Sequence, residues 1–249
     1  MTSLNNKDRI MLINGCSHAA GFEIDGTDDS AYNRAHSFGS VLAKKMGYQP
    51  VNIALGSQSN PAIARGVLDW FHTHYNPNSM EVFVCVAWTE SIRIDFPSPY
   101  CMDYASANKH VDYYCKHTEQ YMQINAGWPG AKPLEQRIIK YWQDVQARYP
   151  KYLEIVSMNA ALQLQYFFKM HSVEYVMCNT MHMFTTPCNH LNFYTKLVDQ
   201  SRYYCMLDND ESFYWHYKNL GYNNEKAKYW HHSEQPHLLQ AQKLYDFIN

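Results

Sequence analysis

Ile10-Met-Leu-Ile-Asn-Gly-Cys-Ser-His-Ala-Ala-Gly21 is the stretch that decides what this chain is. It opens as a short apolar run, Ile10 to Ile13, and such a run bounded by turn residues predicts a buried strand. It closes on Asn14-Gly15-Cys16-Ser17, a turn holding one glycine and one hydroxyl nucleophile. Open α/β sheets place their ligands just beyond the carboxyl ends of the strands. Ser17 falls in that position. Gly21, four residues on, marks a place where the chain must turn tightly or pass close to a neighbour.

Outward from this block the chain alternates strand and helix signals. Ser37 to Met46 carries Phe38, Val41, Leu42 and Met46 at helical spacing, and Gly47 ends it. Pro50 to Ala54 predicts a second strand, and Ala62 to His74 a helix with Ile63, Val67, Leu68 and Phe71 on one stripe. Glu81 to Trp88 is almost continuously apolar, as a central parallel strand should be. Leu134 to Tyr149, and the segment after Pro150 through Phe167, read as two amphipathic helices. Val173 to Cys178 is a fourth strand, and Asn179 to His190 a loop. Leu191 to Tyr204 predicts a helix followed by a short fifth strand. Asp210 to Leu220 is a further helix stopped by Gly221, and Leu238 to Ile248 a closing one. The pattern predicts a single α/β domain over residues 1–249. Its architecture is a three-layer α/β/α sandwich around a mostly parallel sheet of about five strands, flavodoxin-like in kind.

Composition bounds the function. With 46% hydrophobic and 18% charged residues, the 249-residue chain is predicted to fold. A formal charge of −2 argues against a nucleic-acid footprint. No apolar run reaches the ~18–20 residues that span a bilayer, so no membrane partner is expected. The polar start, Met1 to Arg9, does not resemble a signal peptide. Seven cysteines without a CxxC pair fit reduced thiols, and together these predict a cytoplasmic protein. The 21 Tyr and 6 Trp fit either a carbohydrate-binding surface or a Tyr-rich core. Residues 96–133, broken by Pro and Gly, predict an irregular insertion capping the site. His110, Cys115 and His117 lie within it, but no second Cys/His pair completes a tetrahedral set, so no metal is expected.

Three stretches resemble the SGNH (GDSL-like) hydrolase superfamily, in a divergent form found among bacteriophage and bacterial members. Gly15-Cys16-Ser17-His18 resembles its first block, which differs from the G-x-S-x-G elbow in the spacing of the second glycine. Asn52-Ile-Ala-Leu-Gly56-Ser-Gln-Ser-Asn60-Pro61 resembles the second block. Trp230-His231-His232-Ser233, with His237 at the start of the last helix, resembles the fifth. The resemblance implies a serine esterase or O-deacetylase without a cofactor, acting on a small-molecule or carbohydrate ester. It implies Ser17 as nucleophile and His231 as base, Gly56 and Asn60 as oxyanion donors, and support from Thr89 or His237. Asn60-Pro61 is also an ordinary helix start, with Asn as cap.

Two features depart from the family pattern. The third block should carry Gly-x-Asn-Asp, but the strand ends in Ala87-Trp88-Thr89-Glu90, then Arg93. The oxyanion site therefore lacks an Asn donor, which Asn60 or the Thr89 hydroxyl would replace. The carboxylate expected two or three residues before the histidine is also missing, because Lys228 and Tyr229 stand there. A backbone carbonyl, Asp208, Asp210 or Glu234 is left to orient His231. Three alternatives stay open: an inactive binding module on the same scaffold, an acyltransferase, and a metal-dependent hydrolase using some of the 13 histidines.

Overall fold

The fold is taken from a computed structural model, which describes residues 7–97, 121–125, 133–182 and 192–249. The strands are β1 (Asp8–Gly15), β2 (Gln49–Asn52), β3 (Met80–Trp88), β4 (Arg93–Pro97), β5 (Tyr121–Asn125) and β6 (Glu174–Asn179). The helices are α1 (Ser17–Ala20), α2 (Ala31–His36), α3 (Phe38–Lys45), α4 (Asn60–His74), α5 (Pro133–Arg148), α6 (Pro150–His171), α7 (Asn192–Leu197), α8 (Phe213–Asn219) and α9 (Glu234–Ile248). The main sheet has four parallel strands in the order β2-β1-β3-β6. After β1 the chain moves to one side to make β2, then returns past β1 to make β3. The crevice at the carboxyl ends of β1 and β3 is therefore the switch point where sheets of this kind hold ligands.

The apolar strands are buried on both faces, and alternation divides their side chains between two cores. Ile10 and Leu12 of β1, with Val82, Val84, Val86 and Trp88 of β3, meet α4 and α6 through Ile63, Val67, Phe71, Met158 and Phe168. Met11, Ile13, Phe83, Cys85, Val176 and Cys178 face the other way, against α3, α8 and α9 through Phe38, Leu42, Phe213, Tyr217 and Leu244. Helices thus cover both sides of the sheet, giving the three-layer α/β/α architecture. Each fully buried Val, Leu, Ile or Phe contributes about 1.5–3 kcal/mol, so these two cores dominate stability. Among the described residues no helix is long and apolar enough to cross a membrane.

Three details differ from the sequence expectation. The fifth strand shrinks to a single parallel bridge between Met177 and Tyr203, because a 3-10 turn at Gln200–Arg202 precedes it and a positive φ at Cys205 follows it. The last helix begins at Glu234, four residues earlier than expected, so Pro236 and His237 lie inside it. That start turns Leu238 outward and buries His237, Gln240, Ala241 and Leu244. Residues 93–97 and 121–125 pair as a small antiparallel sheet that begins before and reaches into residues 96–133, the stretch expected to be irregular. Most of the cap expected over residues 96–133, with His110, Cys115 and His117, lies outside the described residues.

Candidate active site

The end of β1 has little freedom. The amide of buried Asn14 accepts from the Gly15 N–H at 2.9 Å and donates to the Ile63 carbonyl at 2.8 Å. Gly15 faces Ala87 across the sheet, and a Cβ there would stand 2.7 Å from the Ala87 oxygen and 2.6 Å from the Ala19 Cβ. Only glycine lets α1 fold this close to β3. Thr180, at the end of β6, bonds the Trp88 carbonyl through both its N–H (2.7 Å) and its hydroxyl (2.8 Å), and that hydroxyl also meets Cys16 Sγ at 3.1 Å. Three strand ends are thereby tied together directly beneath Ser17.

Ser17 opens α1, a single turn whose N-cap, Cys16, offers no side-chain bond. The Ala19 and Ala20 N–H groups bond the Cys16 carbonyl at 3.0 Å each, so the Ser17 and His18 amides are the ones left without an intrahelical acceptor. Ser17 is 9% exposed, and its hydroxyl makes no hydrogen bond among the described residues. Gly21 ends α1 at φ +82, where a Cβ would also stand 2.4 Å from the Asn33 oxygen. The chain then bends through Glu23, a non-glycine residue at φ +62. A left-handed conformation for such a residue costs of order 1–3 kcal/mol and persists only where the surroundings impose it.

The surroundings are the loop before α9. The Glu23 side chain is fully buried and accepts from the Lys228 N–H at 2.7 Å and the Tyr229 N–H at 3.0 Å. Its Oε2 lies 2.6 Å from His231 Nδ1. Asn224 adds a bond to the Glu23 carbonyl at 2.8 Å. The two ends of the chain thus meet at one carboxylate. Its bond places the imidazole proton on Nδ1 and leaves Nε2 as the acceptor. The His231 ring packs 4.8 Å from the His18 ring and 5.9 Å from Phe22, centroid to centroid. Phe22 in turn lies against Gly56, where a Cβ would meet its ring at 3.1 Å. The loops after β1 and β2 and the loop before α9 therefore meet around Phe22, Glu23 and His231.

Burial and charge both favour neutral imidazoles here. Burial lowers the pKa of His231, and the positive charge of Arg93 acts in the same direction, while the Glu23 hydrogen bond and charge oppose them. His18 is held well below its ordinary value by burial first, then by the charges of His231, His232 and Arg93. Its Nδ1 is buried without a hydrogen-bond partner among the described residues. A base that stays neutral near pH 7 is what proton abstraction requires.

Other candidates are placed elsewhere. Asn60 is a clamp: its Oδ1 accepts from the Thr89 N–H at 2.8 Å, and its amide donates to the Thr89 carbonyl and to Ser157 Oγ, each at 3.0 Å. Both amide hydrogens are engaged, so Asn60 is corrected from oxyanion donor to the bond that fastens α4 to β3 and α6. Thr89 is fully buried, and its hydroxyl has no partner among the described residues. His237 accepts from the Phe38 N–H at 3.1 Å through Nδ1 and packs 4.7 Å from Phe213. It anchors α9 to the start of α3 and does not orient His231. His232 bonds the Tyr214 carbonyl at 3.0 Å.

The carboxylate on His231 is none of those weighed from the sequence. Glu234 takes the Tyr32 hydroxyl at 3.1 Å, and Asp208 caps its own turn by accepting from the Asp210 N–H at 3.1 Å. Glu23 stands 208 residues before His231 and shortly after Ser17, far from the segment beside the histidine where the family pattern places the carboxylate. One signal was available: Phe22-Glu23-Ile24 sets a single carboxylate between two apolar residues inside an otherwise polar loop. Among the described residues no group of three or more His, Cys, Asp or Glu side chains is arranged to hold a metal ion.

No family model matches the chain, and no curated protein does. Among solved structures it is similar to the psychrotrophic esterase EstA from Pseudoalteromonas sp., at 11% identity over 96% of each chain, with a TM-score of 0.42. It is also similar to the acetyl xylan esterase Est2A from the rumen bacterium Butyrivibrio proteoclasticus, at 11% identity over 97% of this chain and 64% of that one, with a TM-score of 0.46. A member of the lipolytic G-D-S-L family from Veillonella parvula matches at 11% identity over 96% and 97% of the two chains, with a TM-score of 0.34. None of these likenesses speaks to the side chains of the crevice.

Proposed function

We propose that the chain is a serine esterase in which Ser17 is the nucleophile, His231 the general base and Glu23 the carboxylate that orients it. The observation that carries this reading is the 2.6 Å bond from His231 Nδ1 to buried Glu23, which joins the end of the chain to the turn that follows Ser17. A serine hydroxyl is a weak nucleophile near pH 7 and needs such a base. Hydrogen bonds between a nucleophile and its base are often long or poorly aligned before substrate binds and tighten in the complex.

In the proposed reaction Ser17 Oγ attacks the ester carbonyl carbon while His231 Nε2 takes the hydroxyl proton. Glu23 stabilises the imidazolium that forms. The negative charge on the carbonyl oxygen is met by the backbone N–H groups of Ser17 and Gly56, each such donor contributing roughly 2.7–4 kcal/mol. The intermediate collapses as His231 passes its proton to the leaving alcohol, and an acyl group remains on Ser17. Water, deprotonated by His231, then attacks the acyl carbonyl and releases the acid. A fluorophosphonate probe is expected to label Ser17 stoichiometrically, and the protein to hydrolyse p-nitrophenyl acetate. A folded protein that does neither would overturn the reading.

An acylated saccharide is the substrate class we favour. Trp230, immediately before the proposed base, is 79% exposed, and its neighbour Tyr229 is 54% exposed. Large aromatic faces beside a catalytic group offer stacking surface to a sugar ring, and the cost of leaving them in water suggests a use. Trp230→Ala should raise KM for an O-acetylated xylo-oligosaccharide about fivefold more than KM for p-nitrophenyl acetate. Equal changes for the two substrates would remove the saccharide from the reading.

A further inference from the structure

Arg93 opens β4, four residues beyond Thr89, which stands where the family-like third block should supply its Asn. Its side chain is only 11% exposed, yet its one ion-pair partner among the described residues is Glu90, reached through Nε at 3.2 Å. The two terminal nitrogens of the guanidinium have no protein partner among the described residues. The other well-buried arginine is spent differently. Arg34 gives NH2 to Asp29 at 2.7 Å and NH1 to the carbonyls of Asn52 and Ala54 at 3.0 Å each. Arg65 likewise commits NH2 to Asp95 at 2.6 Å.

Alternation along β4 shows where Arg93 is directed. Ile94 is buried against Ile139 and Leu153 on one face. Asp95, on the opposite face, reaches Ser59 Oγ at 2.6 Å, in the loop that also carries Gly56. Arg93 shares the face of Asp95 and lies one step closer to the end of β3. Its positive charge opposes protonation of both His18 and His231. A guanidinium only 11% exposed, with just Nε engaged among the described residues, leaves costly unpaired donors that an anionic substrate group would satisfy.

We infer that the ester cleaved at Ser17 carries a carboxylate, and that Arg93 binds it through the two free nitrogens of its fork. The planar guanidinium matches a carboxylate in a bidentate arrangement that Lys cannot reproduce. This inference rests on the serine esterase reading and narrows the proposed acylated saccharide to one that also carries a carboxylate, the neutral xylo-oligosaccharide serving only to read out stacking on Trp230.

The test compares kcat/KM for phenyl acetate, 3-acetoxybenzoate and phenyl hydrogen succinate, each corrected for its rate of hydroxide-catalysed hydrolysis. The last two place a carboxylate on the leaving group and on the acyl group respectively. One of the two anionic esters is expected to exceed phenyl acetate about tenfold or more, roughly the effect of one charge-assisted bond. Arg93→Gln should bring that ratio close to one, and Arg93→Lys should recover only part of it. No anionic preference in the unmodified protein, or a preference that survives Arg93→Gln, overturns the inference while the esterase reading stands. Should Arg93→Gln fail to fold, a full preference in Arg93→Lys overturns the bidentate site and a partial one supports it. If none of the three esters is hydrolysed, the esterase reading fails. Equilibrium binding of 3-acetoxybenzoate and phenyl acetate to Ser17→Ala then decides Arg93's role: equal binding overturns it, and preference for the anion supports it.

Discussion

Ser17→Ala is expected to lower kcat for p-nitrophenyl acetate by about 10⁵–10⁶-fold, leaving only the acceleration that binding and oxyanion contacts provide without a nucleophile. The size of the effect follows from the chemistry. With the hydroxyl gone, no acyl-enzyme forms, and water must attack the ester directly, without the covalent intermediate that splits the reaction into two easier steps. The substitution is clean because the Ser17 hydroxyl makes no hydrogen bond among the described residues, so its loss leaves no buried group unpaired. Thermal unfolding of the variant should match the parent within a degree or two. Steady-state rates under identical conditions provide the check. A variant that keeps a tenth of the parental rate would show that Ser17 is not the nucleophile.

Glu23→Gln should reduce kcat by about 10³–10⁴-fold, and the reason lies in proton bookkeeping. The carboxylate accepts three hydrogen bonds in two directions, from the Lys228 and Tyr229 N–H groups and from His231 Nδ1. Glutamine has one acceptor oxygen. The two backbone donors will claim it, and its NH₂ then faces His231 Nδ1. That pairing places the ring proton on Nε2, the nitrogen that must receive the serine proton. The pH profile carries a second signature. His231 has its pKa lowered from the ordinary 6.5 by burial, against the raising effect of Glu23. Its neutral, active form is therefore present above that lowered value, and the acid limb of kcat/KM should fall below pH 6.5. Removing the Glu23 charge removes the raising effect, so the residual activity of Glu23→Gln should lose its acid limb to still lower pH. A variant with near-parental kcat and an unmoved limb would show that Glu23 holds the loop without serving the base.

The strained backbone at Glu23 fits this role. At φ +62 it turns a carboxylate inward where a small residue would be more comfortable, and three donors from the 224–231 loop hold it there. The same bonds explain why two loops from opposite ends of the polypeptide stay in register without a disulfide between them.

Much of this molecule was legible in the amino-acid order. The parallel sheet, the helices on both faces and the serine at the end of β1 follow from local patterns. Continuous apolar runs bury strands on both sides, 3.6-residue stripes mark helices that cover them, and a glycine before the serine marks a close approach. These are properties of neighbouring residues, and neighbours in sequence determine them. The partner of His231, the clamp made by Asn60 and the anchor made by His237 were not legible. Each depends on which side chain arrives first at a shared donor or acceptor, and that contest is settled by atoms up to two hundred residues apart. Asn60 could have faced a substrate, but the Thr89 peptide and Ser157 took all its bonds. Glu23 looked like loop decoration until the folding of the sheet brought the last loop over it. Chain order thus set the scaffold and the serine at the end of β1, while packing alone chose the carboxylate that meets His231, because hydrogen-bond partners are selected by proximity in space.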